Sequence, residues 1–399
     1  MLITYLCIRL ITLPLGYLPY SVLHRLGKIL GACAYHLLPK FRKRAESNLA
    51  LAKDLNLSNA QVKILAKKSL QSVMITCLEY PRLAREKNIS NIATCDNPDQ
   101  AAELLQNGTG VIFFCGHQAN WELLFLEGTS RMPGVAIGRP IKNPYLYRWV
   151  QAMRQKFGGI IIPPQNAIKE GLRALKKGSF LGIVGDQGMP DSGFSSPFLG
   201  RLAWTSPIPA LLAYKTNTPL IVATTVRTEK ARYKIQYSEP LFPDLSASKE
   251  DEVERLMNKA LALYQESIKA YPDQWLWIHN RWKQQTLDRL KRPYRQDSLA
   301  LFLPEDVPLI ENLSMIRSLY PTEHITLFVP HSLQHLVTVD AEICPYAHLK
   351  ETLREDLRFK LIVNFTNYTA INRHYKKRSA VTILNPLSFE AFKTEISHA

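Results

Sequence analysis

A chain of 399 residues with 50 Lys and Arg against 34 Asp and Glu carries a formal net charge of +16, a balance that seeks polyanionic partners. No zinc-ligand spacing, RNA-recognition signature or basic low-complexity arm accompanies that charge, so nucleic acid is excluded in favour of a membrane surface or an acidic carrier protein. Six scattered cysteines without a Cys-x-x-Cys exclude a disulfide framework and a cysteine metal site.

Residues 1–38 read as a hydrophobic membrane anchor. The first 23 are almost wholly apolar, broken by Arg9, and as one helix would span about 34 Å, enough to cross a bilayer core. Pro14, Gly16 and Pro19 interrupt that helix, which leaves a spanning anchor and a kinked interfacial one both open. A second apolar stretch, 29–38, runs into Lys40, Arg42, Lys43 and Arg44, and the positive-inside rule puts the downstream residues on the cytoplasmic face.

Residues 39–285 are expected to form the main domain. A helical lead-in over 41–87 is capped near Ser58 and carries apolar residues at three- and four-residue steps. Short apolar runs succeed it at 111–115, 134–138, 159–162, 180–184 and 219–226, with amphipathic stretches at 145–157 and 167–177 between them. Such alternation predicts an α/β fold, a sheet covered by helices. A closing helix over 251–271 leads into a segment whose Trp275, Trp277 and Trp282 read as packing residues or interfacial anchors. A polar, basic linker is expected at 286–297. Residues 298–399 begin a small second α/β domain, with apolar runs at 325–329, 360–365 and 380–384. It has no Gly-x-Gly-x-x-Gly and no phosphate loop, so no chemistry is assigned to it.

The chemistry concentrates at Val111-Ile-Phe-Phe-Cys-Gly-His-Gln-Ala-Asn-Trp-Glu122. A strand delivers His117 into a turn, and Glu122 comes five positions later. On one helix that step turns about 140°, so the pair converges more naturally with His117 in the loop and Glu122 in the first helical turn. A carboxylate against one imidazole nitrogen fixes the tautomer and makes the other nitrogen a general base for an alcohol. Behind the pair, in order, come Arg139 just past an apolar run, Arg154 on the next helix, and Asp186 at the end of the run 180–184, where α/β sheets gather their sites. Asn120 flanks the pair and is expected to shape the turn. One His with one acid falls short of a metal shell, so neither metal nor cofactor is expected.

Taken together these features resemble the late acyltransferases of lipid A biosynthesis, the lauroyl/myristoyl group with a His-x4-Asp/Glu motif. The resemblance covers about residues 1–285 and includes the apolar N-terminus, the basic helical lead-in, the Arg-Pro…Asn-Pro segment after Gly138 and the Trp-rich close ending at Lys283. It implies a glycerolphosphate-acyltransferase-like fold with a mixed sheet. It also implies catalytic roles for His117 and Glu122 and places in the site for Arg139 and Asp186; Arg139 is a candidate for binding an oxyanion or phosphate, and Asn120 and Arg154 are further candidates for the pocket. The implied reaction moves a fatty acyl chain from acyl-carrier protein to a hydroxyl of an anionic glycolipid, a Kdo-lipid IVA-like precursor, at the bacterial inner membrane.

Two other readings stay open. One is an acyltransferase on a glycerol phosphate or another glycolipid, although Leu126-Glu-Gly-Thr-Ser130 lacks the arginine that such enzymes carry in a Glu-Gly-Thr-Arg segment. The other is a non-catalytic membrane scaffold with its partner site in residues 298–399.

Overall fold

The computed structural model describes residues 1–283 and 290–397. Of the expected linker 286–297, residues 286–289 lie outside the described residues, as do 284 and 285 at the end of the main domain.

A helical layer comes first: α1 (Leu2–Thr12), α2 (Tyr20–Leu37), α3 (Pro39–Leu51) and α4 (Asn59–Leu83). Ser58 opens α4 with a capping box, its backbone N–H donating to Gln61 Oε1 at 2.8 Å. Of the two anchors that the sequence left open, the spanning one finds no support. Among the described residues no helix is long and apolar enough to cross a membrane. The break at Pro14–Tyr17 limits α1 to 11 residues, about 16 Å of helix against a bilayer core of roughly 30 Å. The second apolar stretch belongs to α2, which lies on protein. A Cβ at Gly27 or Gly31 would collide with the backbone of Ile75 or Gln71, so these two glycines, one turn apart, let α2 and α4 touch. α1 itself buries no residue and leaves Ile3, Leu6, Leu10 and Ile11 exposed.

The central sheet is built from β1 (Ala93–Cys95), β2 (Val111–Cys115), β3 (Gly134–Ile137), β4 (Ile160–Ile162), β5 (Phe180–Val184), β8 (Leu220–Arg227) and β9 (Tyr233–Tyr237). Between them run α5 (Asp99–Gln106), α6 (Glu122–Thr129), α7 (Pro144–Arg154), α8 (Ala167–Lys176), a hairpin of β6 (Phe194–Phe198) and β7 (Arg201–Thr205), and α9 (Ile208–Thr216). α10 (Lys249–Ala270) closes the unit. The strand order is β1-β9-β8-β2-β5-β3-β4, parallel at every pairing except β8 with β9, so the sheet is mixed.

β2 is buried along its whole length, as its unbroken apolar run requires of a central strand. Ile112 and Phe114 face one core with Leu181, Tyr264 and Trp275, while Val111, Phe113 and Cys115 face the other with Leu123, Phe180 and Tyr237. Trp275, Trp277 and Trp282 are fully buried, as packing residues rather than interfacial anchors. Because β2, β5 and β3 are parallel neighbours, the loops after Cys115, Val184 and Ile137 open at one edge of the sheet.

The second unit is a wholly parallel sheet in the order β12-β11-β10-β13-β14, formed by β10 (Ser298–Phe302), β11 (His324–Pro330), β12 (Glu342–Tyr346), β13 (Leu361–Asn364) and β14 (Thr382–Leu384). α11 (Val307–Glu311), α12 (Ile316–Leu319), α13 (Ala370–Lys376) and α14 (Phe389–Ile396) accompany it. It docks on α3 and on the Trp-rich segment. The buried ammonium of Lys360 donates to Asp297 Oδ1 at 2.6 Å, Asn48 Oδ1 at 2.8 Å and Asn280 Oδ1 at 3.2 Å. Lys43 donates to the Ala380 carbonyl at 2.8 Å, and Ser47 to that of Arg358 at 2.6 Å.

Candidate active site

After β2 the chain turns through Gly116 to Trp121 before α6 begins at Glu122. Gly116 has no substitute here: a Cβ would fall onto the Tyr264 hydroxyl and against the Asp186 carboxylate. Ala119 sits in the left-handed region at φ 48°, where a side chain is strained. Its N–H donates to the Gln274 carbonyl at 2.8 Å and its own carbonyl accepts from Thr76 Oγ1 at 2.8 Å. Leu276 N–H adds a bond to the His117 carbonyl at 3.1 Å. Helix α4 and the Trp-rich segment therefore hold the loop from both sides.

His117 Nδ1 stands 2.7 Å from Asp186 Oδ1, and the His117 backbone N–H donates to Asp186 Oδ2 at 2.7 Å. Trp275 Nε1–H donates to the same Oδ2 at 2.8 Å. Burial alone would raise the Asp186 carboxyl, but the imidazole and these donors overcome it and hold the group down at about 2. An ionised carboxylate only accepts, so Nδ1 carries the proton and Nε2 keeps a lone pair. Burial also works against the charged imidazole; the Asp186 charge and hydrogen bond outweigh it and raise His117 above its ordinary value. The His117 side chain is 18% exposed, enough for contact with a bound substrate.

Here the expected pairing of Glu122 with the imidazole is corrected. Glu122 does begin α6, yet its buried carboxylate turns to Arg154, which grips it with both prongs at 2.7 and 2.5 Å. The Tyr80 hydroxyl donates to Glu122 Oε1 at 2.5 Å. A guanidinium fork matches a carboxylate in this bidentate geometry, and Asp186 already occupies Nδ1. Glu122 acts on His117 only through its field, a smaller raising effect than that of Asp186.

The remaining residues separate. Asn120 is fully buried; its Nδ2 donates to Glu79 Oε2 at 2.7 Å and its Oδ1 accepts from Glu122 N–H at 3.2 Å. It shapes the turn into α6. Arg139 follows β3 on the same sheet edge as His117 and Asp186, is exposed, and touches neither. It lines a cavity of about 690 Å³ with Gly188, His279 and Lys283. Residues with no local signal complete the surroundings. Glu79 collects His24 at 2.6 Å, Asn120 at 2.7 Å and the Tyr233 hydroxyl at 2.7 Å. Glu79, Tyr80, Tyr233 and the Trp275 bond to Asp186 join positions between 41 and 154 residues apart, beyond any spacing rule. Among the described residues no group of three or more His, Cys, Asp or Glu is placed to hold a metal ion.

An imidazole aligned by a buried carboxylate, at the carboxyl edge of a helix-covered mixed sheet, is equipment for taking a proton from a hydroxyl. Comparison with known proteins agrees with that class. Residues 1–284 match the bacterial lipid A biosynthesis acyltransferase family, and the chain belongs to it. Similar relatives include the lipid A biosynthesis palmitoleoyltransferase of Escherichia coli K12, 27% identical over 71% of this chain and 90% of that protein. The lauroyltransferase of the same organism is 24% identical over 67% of this chain and 87% of that one. Among solved structures, the 1-acyl-sn-glycerophosphate acyltransferase of Thermotoga maritima matches at 13% identity with a TM-score of 0.31, covering 63% of this chain and 99% of that one. The protein is thus an acyltransferase of lipid A biosynthesis, a process of the bacterial envelope.

Proposed function

We propose that this acyltransferase moves a fatty acyl chain from an acyl-carrier-protein thioester to a free hydroxyl of a Kdo-bearing lipid A precursor, with His117 as general base. The observation that carries this reading is the His117–Asp186 pair, with Nδ1 committed at 2.7 Å and Nε2 left for the substrate. Nε2 takes the hydroxyl proton as the alcohol oxygen attacks the thioester carbonyl. The C–S bond of the tetrahedral intermediate then breaks, the ester C–O bond remains, and the departing thiolate takes the proton back from His117. Asp186 positions the ring and stabilises the imidazolium between these steps. Glu122, clamped by Arg154 and Tyr80, holds the first turn of α6 and adds negative field. Arg139 reaches toward an anionic part of the substrate from the same edge.

The exposed apolar residues of α1 support seating on the cytoplasmic surface of the inner membrane rather than crossing it. Arg9 packs over the Trp149 ring at 4.4 Å and Asn143 donates to the Met1 carbonyl at 2.9 Å, so α1 is tied to α7 with Ile3, Leu10 and Ile11 outward.

The test incubates membranes carrying the full chain with radiolabelled Kdo-modified tetraacyl precursor and a panel of acyl-carrier-protein thioesters. A pentaacyl product from wild type, absent with His117→Ala, is expected, and the preferred thioester reads out the chain length. Acylation of glycerol phosphates instead would move the acceptor to phospholipid. Function retained by His117→Ala in cells would turn the reading to a scaffold.

A further inference from the structure

The cavity beside Arg139 is shared between the two sheets of the molecule. One wall comes from the loop after Asp186, with Gly188, Asp191 and Ser192, and from His279 and Lys283 of the Trp-rich segment. That segment is bonded to the His117 carbonyl at Leu276, and its His279, which lines the cavity, feels the charges of Asp186 and His117. The opposite wall carries Arg292 and Arg295. Both lie beyond residue 284, where the family match ends.

The second unit holds these two arginines in place. Lys291 N–H donates to the Ile396 carbonyl at 2.8 Å. Thr382 Oγ1 donates to the Pro293 carbonyl at 3.1 Å, and the Tyr320 hydroxyl to that of Tyr294 at 3.0 Å. Arg295 Nε is spent on the Leu290 carbonyl at 2.8 Å, which directs the rest of its guanidinium.

Among the described residues that line the cavity, cations outnumber carboxylates. Arg139, Lys283 and Arg292 are exposed and have no carboxylate partner among the described residues. Three carboxylates line the same space. Asp297 is engaged by Lys360 at 2.6 Å. Burial lifts Glu323 to about 7, weakening its charge at neutral pH. Asp191 stays exposed at the rim. Cations that outnumber the carboxylates around them repel one another until an anion joins them, and a phosphate monoester brings about −1.5 to −2 charges with oxygens that suit a guanidinium fork. Ser192, Asn280 and Gln296 add hydroxyl and amide groups of the kind that bind sugar hydroxyls.

We infer that this cavity is the seat of a phosphorylated sugar of the acceptor glycolipid, and that Arg292 and Arg295 make the second unit part of the acceptor site. The inference rests on the acceptor class proposed above and adds its head-group contacts. A volume of about 690 Å³ fits a phosphosugar; an acidic carrier protein needs an open surface instead.

The test uses the full-length protein with Arg292→Gln, Arg295→Gln and the double variant, whose thermal melts should match wild type because both side chains are exposed. The acceptor KM should rise roughly tenfold per arginine, the weight of one charge-assisted contact, with kcat within about twofold and the donor KM unmoved. With phosphatase-treated acceptor, variants and wild type should converge. An unchanged acceptor KM overturns the inference, and a rise confined to the donor KM assigns the cavity to the thioester's phosphate. Equilibrium binding of the phosphorylated precursor to His117→Ala, with and without both Arg→Gln changes, decides the cavity independently of turnover. Equal affinities there overturn it. A wild type that acylates no phosphorylated glycolipid defeats the proposed reaction while this binding comparison still decides the cavity.

Discussion

The molecule contains two helix-covered sheets that use opposite edges for their buried charge. In the seven-stranded sheet His117, Arg139 and Asp186 follow the carboxyl ends of β2, β3 and β5. In the five-stranded sheet the buried pair stands at the amino ends, with Asp297 just before β10 and Lys360 just before β13. The carboxyl edge of that second sheet has a cavity of about 850 Å³ lined by Glu305, His331, Ser332 and Thr366, yet no buried ion pair among the described residues. The difference lies in what each pair leaves unspent. Asp186 occupies one nitrogen of His117 and leaves the other with a lone pair. Three oxygen acceptors take the three protons of Lys360, which leaves the ammonium no free donor and fastens one unit to the other. A buried charge serves catalysis when one of its valences remains open, and architecture when all are filled.

Substitution can break this contrast, and the largest effect is expected at the open valence. His117→Ala should lower kcat/KM by about 10²–10⁴ with a smaller loss of stability than Lys360→Met, because Asp186 keeps the backbone N–H of residue 117 and Trp275 Nε1–H, and the loop is held by bonds to Gln274, Thr76 and Leu276. Lys360→Met should do the reverse. It leaves Asp297 buried and unpaired, at a cost of about 3–5 kcal/mol in denaturant titrations, and Lys360→Met with Asp297→Leu should recover most of the loss. Turnover by the folded fraction should survive.

Asp186→Asn sharpens the comparison through pH. A general base works when deprotonated, so a raised imidazole places the acid limb of kcat/KM above the ordinary histidine value of 6.5. Without the carboxylate charge, burial and the Arg154 charge meet only the weaker Glu122 field and the limb moves to lower pH, with a rate loss of up to about 10⁴-fold from the wrong tautomer. Glu122→Gln has the smallest expected effect. It breaks the clamp to Arg154 and should cost roughly tenfold in rate, or about 1.4 kcal/mol, with a smaller shift of the limb than Asp186→Asn because its field on His117 is weaker. A larger shift from Glu122→Gln would reverse the assigned roles.

Much of this arrangement is legible in the sequence where the signal is local. The apolar runs at 111–115 and 180–184 are strands with those bounds, Ser58 caps its helix, and the closing helix starts two residues before the expected 251. His117 falls in the loop and Glu122 in the first helical turn, as expected, although the two do not pair. Short or isolated pieces escape that reading. β1 has only three residues and the β6–β7 hairpin turns through Leu199 and Gly200, both in the left-handed region, with flanking strands that include Pro197 and Arg201. The apolar start at 1–23 left two anchors open in the sequence, and the break at Pro14–Tyr17 shows how far its first helix continues.

By itself the sequence determined that one strand would present His117 at a turn and another would end just before Asp186, because side-chain type and short-range periodicity are properties of neighbours along the chain. Which carboxylate serves the imidazole was decided only by tertiary structure. Glu122 is five residues from His117 and Asp186 is 69, but the parallel pairing of β2 with β5 brings the distant one to 2.7 Å, while Arg154 from α7 draws the near one away. Strand pairing and competition for a charged partner act through space, and a spacing motif counts only along the chain.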